Sequence, residues 1–348
     1  MIKLGIILGY SGKHINLPID LVRQAEALGY DSVWTSEAYG SDAVSAATWI
    51  LAQTKTIKVG TCIMQMPART PAMTAMTAMT LSQLSQQRFI AGLGASGPQV
   101  VEGWHGVAYD KPITRTREYI QIMRAIMARE AAVEFDGKIY QIPNYGPGTT
   151  GLGKPLKSIM AADTSIPIYT ASITPAGLAC AAEVADGVFP IWMPPEKFTA
   201  LEPHLNKGFA KAGNGKSLKD FDVAPGVAVV MGDDLDACRL PIKQNMALYI
   251  GGMGAKGKNF YTSYATSLGY GEQAERIQNL YLAGDKVAAV AAVPDDLVDA
   301  VALVGPADRI RDRAEAWKEA GDKGHVGTMM FHLNQPEVLP LLADIFKG

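Results

Sequence analysis

One phrase that recurs along the chain limits its fold more than any other feature: a helix, a glycine or Asp-Gly turn, then a short apolar strand. In the first copy Pro18 stands where the first helical turn begins. Leu21, Ala25 and Leu28 then recur at helical spacing, and Gly29 offers the left-handed stop before the apolar run Ser32–Ser36. In the second, Thr174 can cap, Pro175 can begin the helix, and Leu178 and Ala182 face inward. That copy ends at Asp186-Gly187 and runs straight into a strand. The third spans Pro306 to Gly321 and enters its strand at Gly327. Alternation of this kind is the signature of a parallel sheet wrapped by helices.

Eight candidate strands follow: Leu4–Leu8, Ser32–Ser36, Ile57–Met64, Phe89–Leu93, Pro167–Ala171, Gly187–Trp192, Val223–Met231 and Gly327–Leu333. Several are apolar throughout, as strands covered on both faces should be. An α/β fold of the (β/α)8 TIM-barrel type is the first expectation and an open doubly wound sheet the second. With 348 residues, 48% of them hydrophobic, a large core is within reach, and such barrels routinely fold as one unit. Residues 1–348 are therefore expected to form a single barrel domain with two insertions near its mouth. In one, Val133–Gly153, VEFDGKIYQI reads as a hairpin turning at Asp136-Gly137, with the loop NYGPGTTGLG after it. The other is roughly Gly251–Asp295, rich in Gly, Tyr and Lys. Insertions of this length are usually lids or binding loops.

Several function classes find no support. The net charge is −2 and no helical face gathers Lys and Arg, so no nucleic-acid partner is indicated. Cys62, Cys180 and Cys238 lie far apart without a CxxC, and the five histidines lack ligand spacing, so neither disulfides nor a metal are expected. The opening MIKLGIILGY reads as a first strand rather than a signal peptide. No apolar stretch approaches the roughly 20 residues that span a bilayer. A cytoplasmic protein without a membrane partner is expected. Met73, Met76 and Met79, recurring every third residue, read as core packing.

Chemistry in such barrels sits where strands end and loops begin. After the second strand, Trp34-Thr35-Ser36-Glu37-Ala38-Tyr39 places a carboxylate and two aromatics at the mouth, although Ser36 or Glu37 could equally cap the helix Ala43–Gln53. In the third strand Gly60 suggests a bulge or a close approach by ligand, while Cys62 alone reads as core. The fourth runs into Gly94-Ala95-Ser96-Gly97-Pro98-Gln99, bare backbone that an anion could approach, though not the dinucleotide GxGxxG. The fifth ends in Ala171-Ser172-Ile173-Thr174, which is either a second anion-tolerant pocket or an ordinary cap.

Together LGIILGY, ALGYDSVWTSE, KVGTCIMQMPARTPA, RFIAGLGASGPQV, IPIYTASITPAGLACAAEVADGVF and VGPADRIRDRAEAWKEAG resemble the luciferase-like flavin-barrel superfamily over nearly the whole chain. The likeness is greatest to its F420-dependent oxidoreductases, among them methylenetetrahydromethanopterin reductase and the F420-dependent alcohol and glucose-6-phosphate dehydrogenases. The resemblance implies coenzyme F420 as cofactor, hydride transfer at its C5, a small-molecule substrate and a homodimer. It implies a cis peptide at Cys62–Ile63, after Gly60 and Thr61, bulging against the ring. It places the tail phosphate at Gly94, Ala95, Ser96 and Gly97, and further cofactor contacts at Ser36, Gln99, Ala171, Ser172, Ile173, Asp186, Gly187 and Val188. Where dehydrogenases of this branch often carry Asp-His, this chain has Ser36-Glu37, so Glu37 is the candidate proton-exchanging residue. Tyr10, Trp34, Tyr39 and His105 are the candidates for lining the substrate pocket. The alternatives are an FMN-dependent two-component monooxygenase of the same superfamily and a non-catalytic F420-binding protein.

Overall fold

Alternation along each strand decides which way it faces. Leu4, Ile6, Val33, Val59, Phe89, Ala91, Leu93, Ile168, Val188, Val227, Met329 and Phe331 pack outward beneath the helices. Ile7, Trp34, Ile90, Tyr169, Phe189, Ala224 and Met330, one residue out of step with them, pack inward on one another. Burial on both sides is why the strands read as nearly unbroken apolar runs. The computed structural model describes residues 2–254, 257 and 259–348. Met1, expected in the first-strand segment, and Ala255, Lys256 and Lys258 of the second insertion lie outside the described residues.

The main sheet comprises β1 (Lys3–Gly9), β2 (Ser32–Thr35), β3 (Lys58–Thr61), β4 (Met64–Gln65) and β5 (Phe89–Gly94). A separate hairpin, β6 (Phe135–Asp136) and β7 (Gln141–Ile142), follows. The sheet resumes with β8 (Ile168–Ala171), β9 (Gly187–Phe189), β10 (Asp222–Val223), β11 (Gly226–Met231), β12 (Leu303–Gly305) and β13 (Thr328–His332). Its order is β10-β9-β8-β5-β3-β2-β1-β13-β11-β12, parallel throughout, with β4 continuing β3 alongside β5. The two ends of the barrel path meet in one short segment. Val223 pairs with Val188 of β9, and after Ala224-Pro225 Val227 pairs with Phe331 of β13. Ala224 N–H still donates to the Val188 carbonyl at 2.9 Å, whereas the Pro225 carbonyl accepts from Met330 N–H at 3.0 Å. Proline cannot donate, so the segment hands its pairing from one neighbour to the other at this point and the sheet closes into a barrel. The single strand expected over Val223–Met231 is therefore two, and β12, which the sequence reading lacked, extends the sheet from β11.

The insertions differ from the lids expected. The hairpin's turn covers Gly137 to Tyr140 rather than Asp136-Gly137, since Asp136 pairs with Gln141 and Gly137 N–H donates to the Tyr140 carbonyl. It lies on the helix Pro112–Ala128, where the Glu118 carboxylate accepts the N–H groups of Lys138, Ile139 and Tyr140. The second insertion is helical, with Phe260–Ser267, Gly271–Leu282 and Lys286–Ala291 following the helix Leu235–Gly252. These helices bury their own apolar cluster around Met246, Ile250, Tyr264 and Ile277, and Trp192 joins it from the end of β9. Of the methionine stripe only Met79 is core; Met73 and Met76 are about half exposed. Among the described residues no helix is long and apolar enough to cross a membrane.

The entry to β3 is pinned by one carboxylate. Glu26 Oε1, on the helix Ile19–Ala27, accepts from the N–H groups of Lys55, Thr56 and Ile57 at 2.8, 2.6 and 2.9 Å. Burial opposes its charge, but these donors outweigh burial and hold its pKa at about 2, below the ordinary 4.5. A depressed carboxylate stabilises the fold above its unfolded pKa and ceases to do so as pH falls through the folded one. Glu26→Gln should therefore flatten the acid limb of the stability profile between pH 4.5 and 2, read by denaturant titration at stepped pH. An unchanged limb would remove Glu26 from this role.

Candidate active site

The barrel is plugged in its middle, and above the plug small residues leave its inner wall recessed into a shallow hollow. Trp34, Tyr169 and Phe189 meet inside it, with ring centroids 5.1 to 5.7 Å apart. The Trp34 indole lies directly over Gly60, where any Cβ would overlap the ring, and its Nε1–H donates to Ser32 Oγ at 2.9 Å. Two residues further along, six of the inward positions shrink: Gly9, Ser36, Cys62, Gly92, Ala171 and Gly226 are small, while Ile191 and His332 are not. A layer of small residues over an aromatic floor leaves room for a flat molecule. The Cys62–Ile63 peptide is cis, as the resemblance implied, and both residues pack on the plug. Burial pushes the Cys62 thiol up to about 12, so it sits there neutral.

The rim of this hollow is aromatic. Tyr10 and Tyr39, 46% and 60% exposed, stand at the mouth with ring centroids 6.4 Å apart. Beside them the helix Leu235–Gly252 brings Tyr249 and the second insertion brings Tyr261, packed edge to face at 4.8 Å and both against Trp192. Burial raises the Tyr249 pKa, and Tyr10, Cys62 and Tyr39 add to the rise, which places Tyr249 within electrostatic reach of all three. Trp34 is not part of the rim: at 1% exposure it is floor, not pocket wall.

Glu37 is held fast. Its Oε1 accepts from Gln65 N–H at 2.8 Å and from Arg69, and its Oε2 accepts from Ala43 N–H at 3.0 Å and from Arg69 Nη2 at 3.0 Å. Arg69 also pairs with Asp42, the residue that caps the helix Ala43–Gln53. With two donors on each oxygen the carboxylate has no open lone pair. The capping alternative describes this geometry better than the proton-exchanging one. Gln65, buried at 2% and absent from the sequence-based candidates, links this anchor to the rim. Its amide donates to the Ala38 carbonyl at 2.7 Å, and its Oε1 lies 3.2 Å from His105 Nε2.

The loops after β5 and β8 emerge side by side, because Leu93 of β5 pairs with Thr170 of β8. Within them the glycines do different work. A Cβ on Gly94 would lie 2.6 Å from Ile63 Cδ1, so Gly94 makes room for the Cys62–Ile63 bulge. A Cβ on Gly97 would meet only Gln99 Oε1, at 3.5 Å. Ala95, Ser96 and Gly97 are partly open and Gln99 is exposed; Ser96 adopts φ 60. Across from them Ala171 is exposed and Ser172 and Ile173 half-buried, and Thr174 is spent capping the helix Pro175–Val184 through Gly177 N–H.

Two groups of expected contacts lie elsewhere. Thr61 is fully buried, and its hydroxyl exchanges hydrogen bonds with the Gly92 backbone at 2.8 and 3.0 Å, tying β3 to β5. Asp186-Gly187-Val188 lies at the opposite end of the barrel, where β9 begins. Asp186 accepts from Ile168 N–H and Arg124, Gly187 is crowded by Tyr169, and Val188 points outward into the helix layer. The strand leaves the barrel at Phe189 to Trp192 instead. His332, at the mouth end of β13, is absent from the sequence-based candidates because it forms no local motif. Its alternation with Met330 was the signal that marks it as inward-facing. Among the described residues no cluster of His, Cys, Asp and Glu could hold a metal ion.

Comparison with known proteins agrees with this architecture. The chain is 43% identical over 92% of its own length and 92% of the relative's to a Mycobacterium tuberculosis protein assigned as a coenzyme F420-dependent oxidoreductase. It is 29% identical to the 5,10-methylenetetrahydromethanopterin reductase of Archaeoglobus fulgidus, over 86% of this chain and 85% of that one. The solved coenzyme F420-dependent tetrahydromethanopterin reductase of Methanopyrus kandleri superposes with a TM-score of 0.75 at 23% identity, covering 98% of this chain and 97% of that one. With residues 4–324 matching the family pattern as well, the chain belongs to the luciferase-like monooxygenase family.

Proposed function

We propose that the protein is an F420-dependent oxidoreductase that transfers hydride between C5 of the deazaflavin and a small organic substrate. The observation that carries this reading is the hollow of small residues above the Trp34–Tyr169–Phe189 floor, bounded by the Cys62–Ile63 bulge. Its fit to a planar tricycle is one of shape: larger side chains at Gly9, Ser36 or Ala171 would project into that space, and Gly9 has nothing within 4 Å of where a Cβ would stand. The identity to a relative assigned as F420-dependent supports the choice of cofactor. Cys62 and Ile63 would back the ring, and the backbone of Ala95 to Gly97 with Ser172 would receive the tail phosphate, since bare N–H groups suit an anion. When bound, the cofactor supplies the hydride chemistry, and the chain supplies orientation and dryness. The plug keeps water from reaching the hollow from below, and the aromatic rim restricts it from above. Gln65 and His105 join the rim to the Glu37–Arg69 pair, which fixes the turn after β2. In this reading Glu37 positions and does not exchange protons.

Two measurements test the assignment. Gly97→Val, whose side chain enters open space beside the proposed phosphate site, should raise the F420 dissociation constant about tenfold, equivalent to about 1.4 kcal/mol. Titration by cofactor fluorescence reads this, with FMN as the comparison ligand. Unaltered affinity, or FMN bound more tightly than F420, would overturn the placement or the cofactor respectively. Glu37→Gln removes one partner of a largely buried ion pair and should cost about 2–3 kcal/mol of stability. Turnover per folded molecule should stay near wild type. Full stability with turnover lost would make Glu37 the proton-exchanging group after all.

A further inference from the structure

One imidazole faces the hollow. His332 closes β13 two residues beyond Met330, which belongs to the inward-facing cluster, so its side chain leaves the strand on the same side. Its partners in register, Ile7 of β1 and Ala228 of β11, bring no polar side chain. The ring instead overlies Gly226, where a Cβ would stand 3.2 Å from Nε2 and 3.6 Å from Ile7 Cδ1. Neither ring nitrogen makes a hydrogen bond among the described residues, although the residue is open to solvent. A polar group left without a protein partner inside a concavity is available to whatever occupies it. Desolvation by the surrounding wall lowers the His332 pKa, with no charged neighbour contributing. The ring is then neutral near physiological pH and presents one donor and one acceptor.

The groups that shift one another around the mouth are tyrosines and a neutral thiol. Tyr10 responds electrostatically to Tyr39, Tyr249 to Tyr10, Cys62 and Tyr39, and Tyr261 to Tyr249 and Tyr109. No Lys, Arg, Asp or Glu among the described residues enters these sets. An ionised substrate group seated there would give up its hydration without a counter-charge. We infer that the hollow takes an uncharged substrate through a hydroxyl or carbonyl oxygen, and that His332 is the residue that binds this oxygen. This rests on the F420-dependent oxidoreductase reading above. A hydroxyl matches a neutral imidazole on both counts, donating to one nitrogen form and accepting from the other, and a carbonyl uses the N–H alone.

The test uses the full chain with 15N-labelled histidine, loaded with F420 and titrated with three probes on one frame: cyclohexanol, cyclohexanone and 4-hydroxycyclohexanecarboxylate. The His332 ring signals, identified by their loss in His332→Gln, should move with the two uncharged probes. The carboxylate should bind at least about tenfold more weakly. His332→Ala should weaken the uncharged probes roughly three- to tenfold, as expected for one neutral hydrogen bond, while F420 affinity stays at wild type. His332→Gln, which keeps a donor and an acceptor, should restore part of that loss, which a merely structural role would not produce. Equal binding of the carboxylate, ring signals that ignore both uncharged probes, or probe affinity unmoved in His332→Ala would each overturn the inference. If F420 fails to bind while the probes still move His332, the oxidoreductase reading falls and the oxygen site stands. If F420 binds and the probes leave His332 unmoved, the reverse holds.

Discussion

The site depends on how the barrel interior is filled. Trp34, Tyr169 and Phe189 occupy its middle in tilted and edge-on contact, an arrangement that aromatic quadrupoles favour. Everything above them can be small because they fill the space below. The plug is also tied to the closure of the sheet. Tyr169 Oη donates to Asp222 Oδ2 at 2.8 Å, and so does Thr328 Oγ1 at 2.6 Å, with Lys3 Nζ 3.4 Å away. Asp222 stands on β10, in the segment where the two ends of the sheet meet. One carboxylate thus joins β8, β13 and β1 across the barrel floor through charge-assisted hydrogen bonds, which are roughly twice as strong as neutral ones. Its proximity and deep burial both raise the Tyr169 pKa, which keeps that hydroxyl a donor.

Much of this was legible in the chain because it is periodic. Proline-opened helices, glycine stops and apolar runs are local signals, and the eight strand positions follow from them. The break at Ala224-Pro225 was less visible: Val223 to Met231 reads as one apolar run, and only the partners of each half reveal that it serves two neighbours. β12 was missed because Leu303–Gly305 is too short to stand out and pairs with β11 outside the barrel ring. The second insertion looked like a loop because its composition is rich in glycine and tyrosine, yet its apolar residues close on one another. Composition describes a segment's surface better than its packing.

Site residues were less legible for a different reason. A carboxylate after β2 suggests acid–base work until its partner is known, and that partner, Arg69, lies beyond the next strand. Gly94 looked like a phosphate cradle, but its missing side chain makes room for Ile63. Asp186-Gly187 carries a recognisable turn signature, but that turn lies where the strand begins, and mouth and floor turns use the same residue types. Each of these positions answers a demand that the protein makes on itself. His332 shows the converse: it satisfies no internal demand and forms no local motif, and its meaning comes only from the face of the strand on which it falls.

The mouth thereby divides into two chemically unlike halves. On the side of β5 and β8, adjacent loops expose backbone and small hydroxyls, a surface that tolerates negative charge without spending a cation. On the side of β1, β2 and β13, facing the second insertion, the wall is tyrosine, tryptophan and one neutral imidazole. Hydride chemistry profits from a dry, low-dielectric setting, and a wall without ions can be dried at little cost because no charge has to be stripped of water. Under the proposed assignment, the charged part of the cofactor would lie on one half and the reacting atoms on the other, so one barrel would hold an anion while keeping its centre apolar. The helical insertion supports this division: it shares a buried core with the helix Leu235–Gly252 and Trp192, so Tyr249 and Tyr261 are held by packing and do not need a ligand to order them.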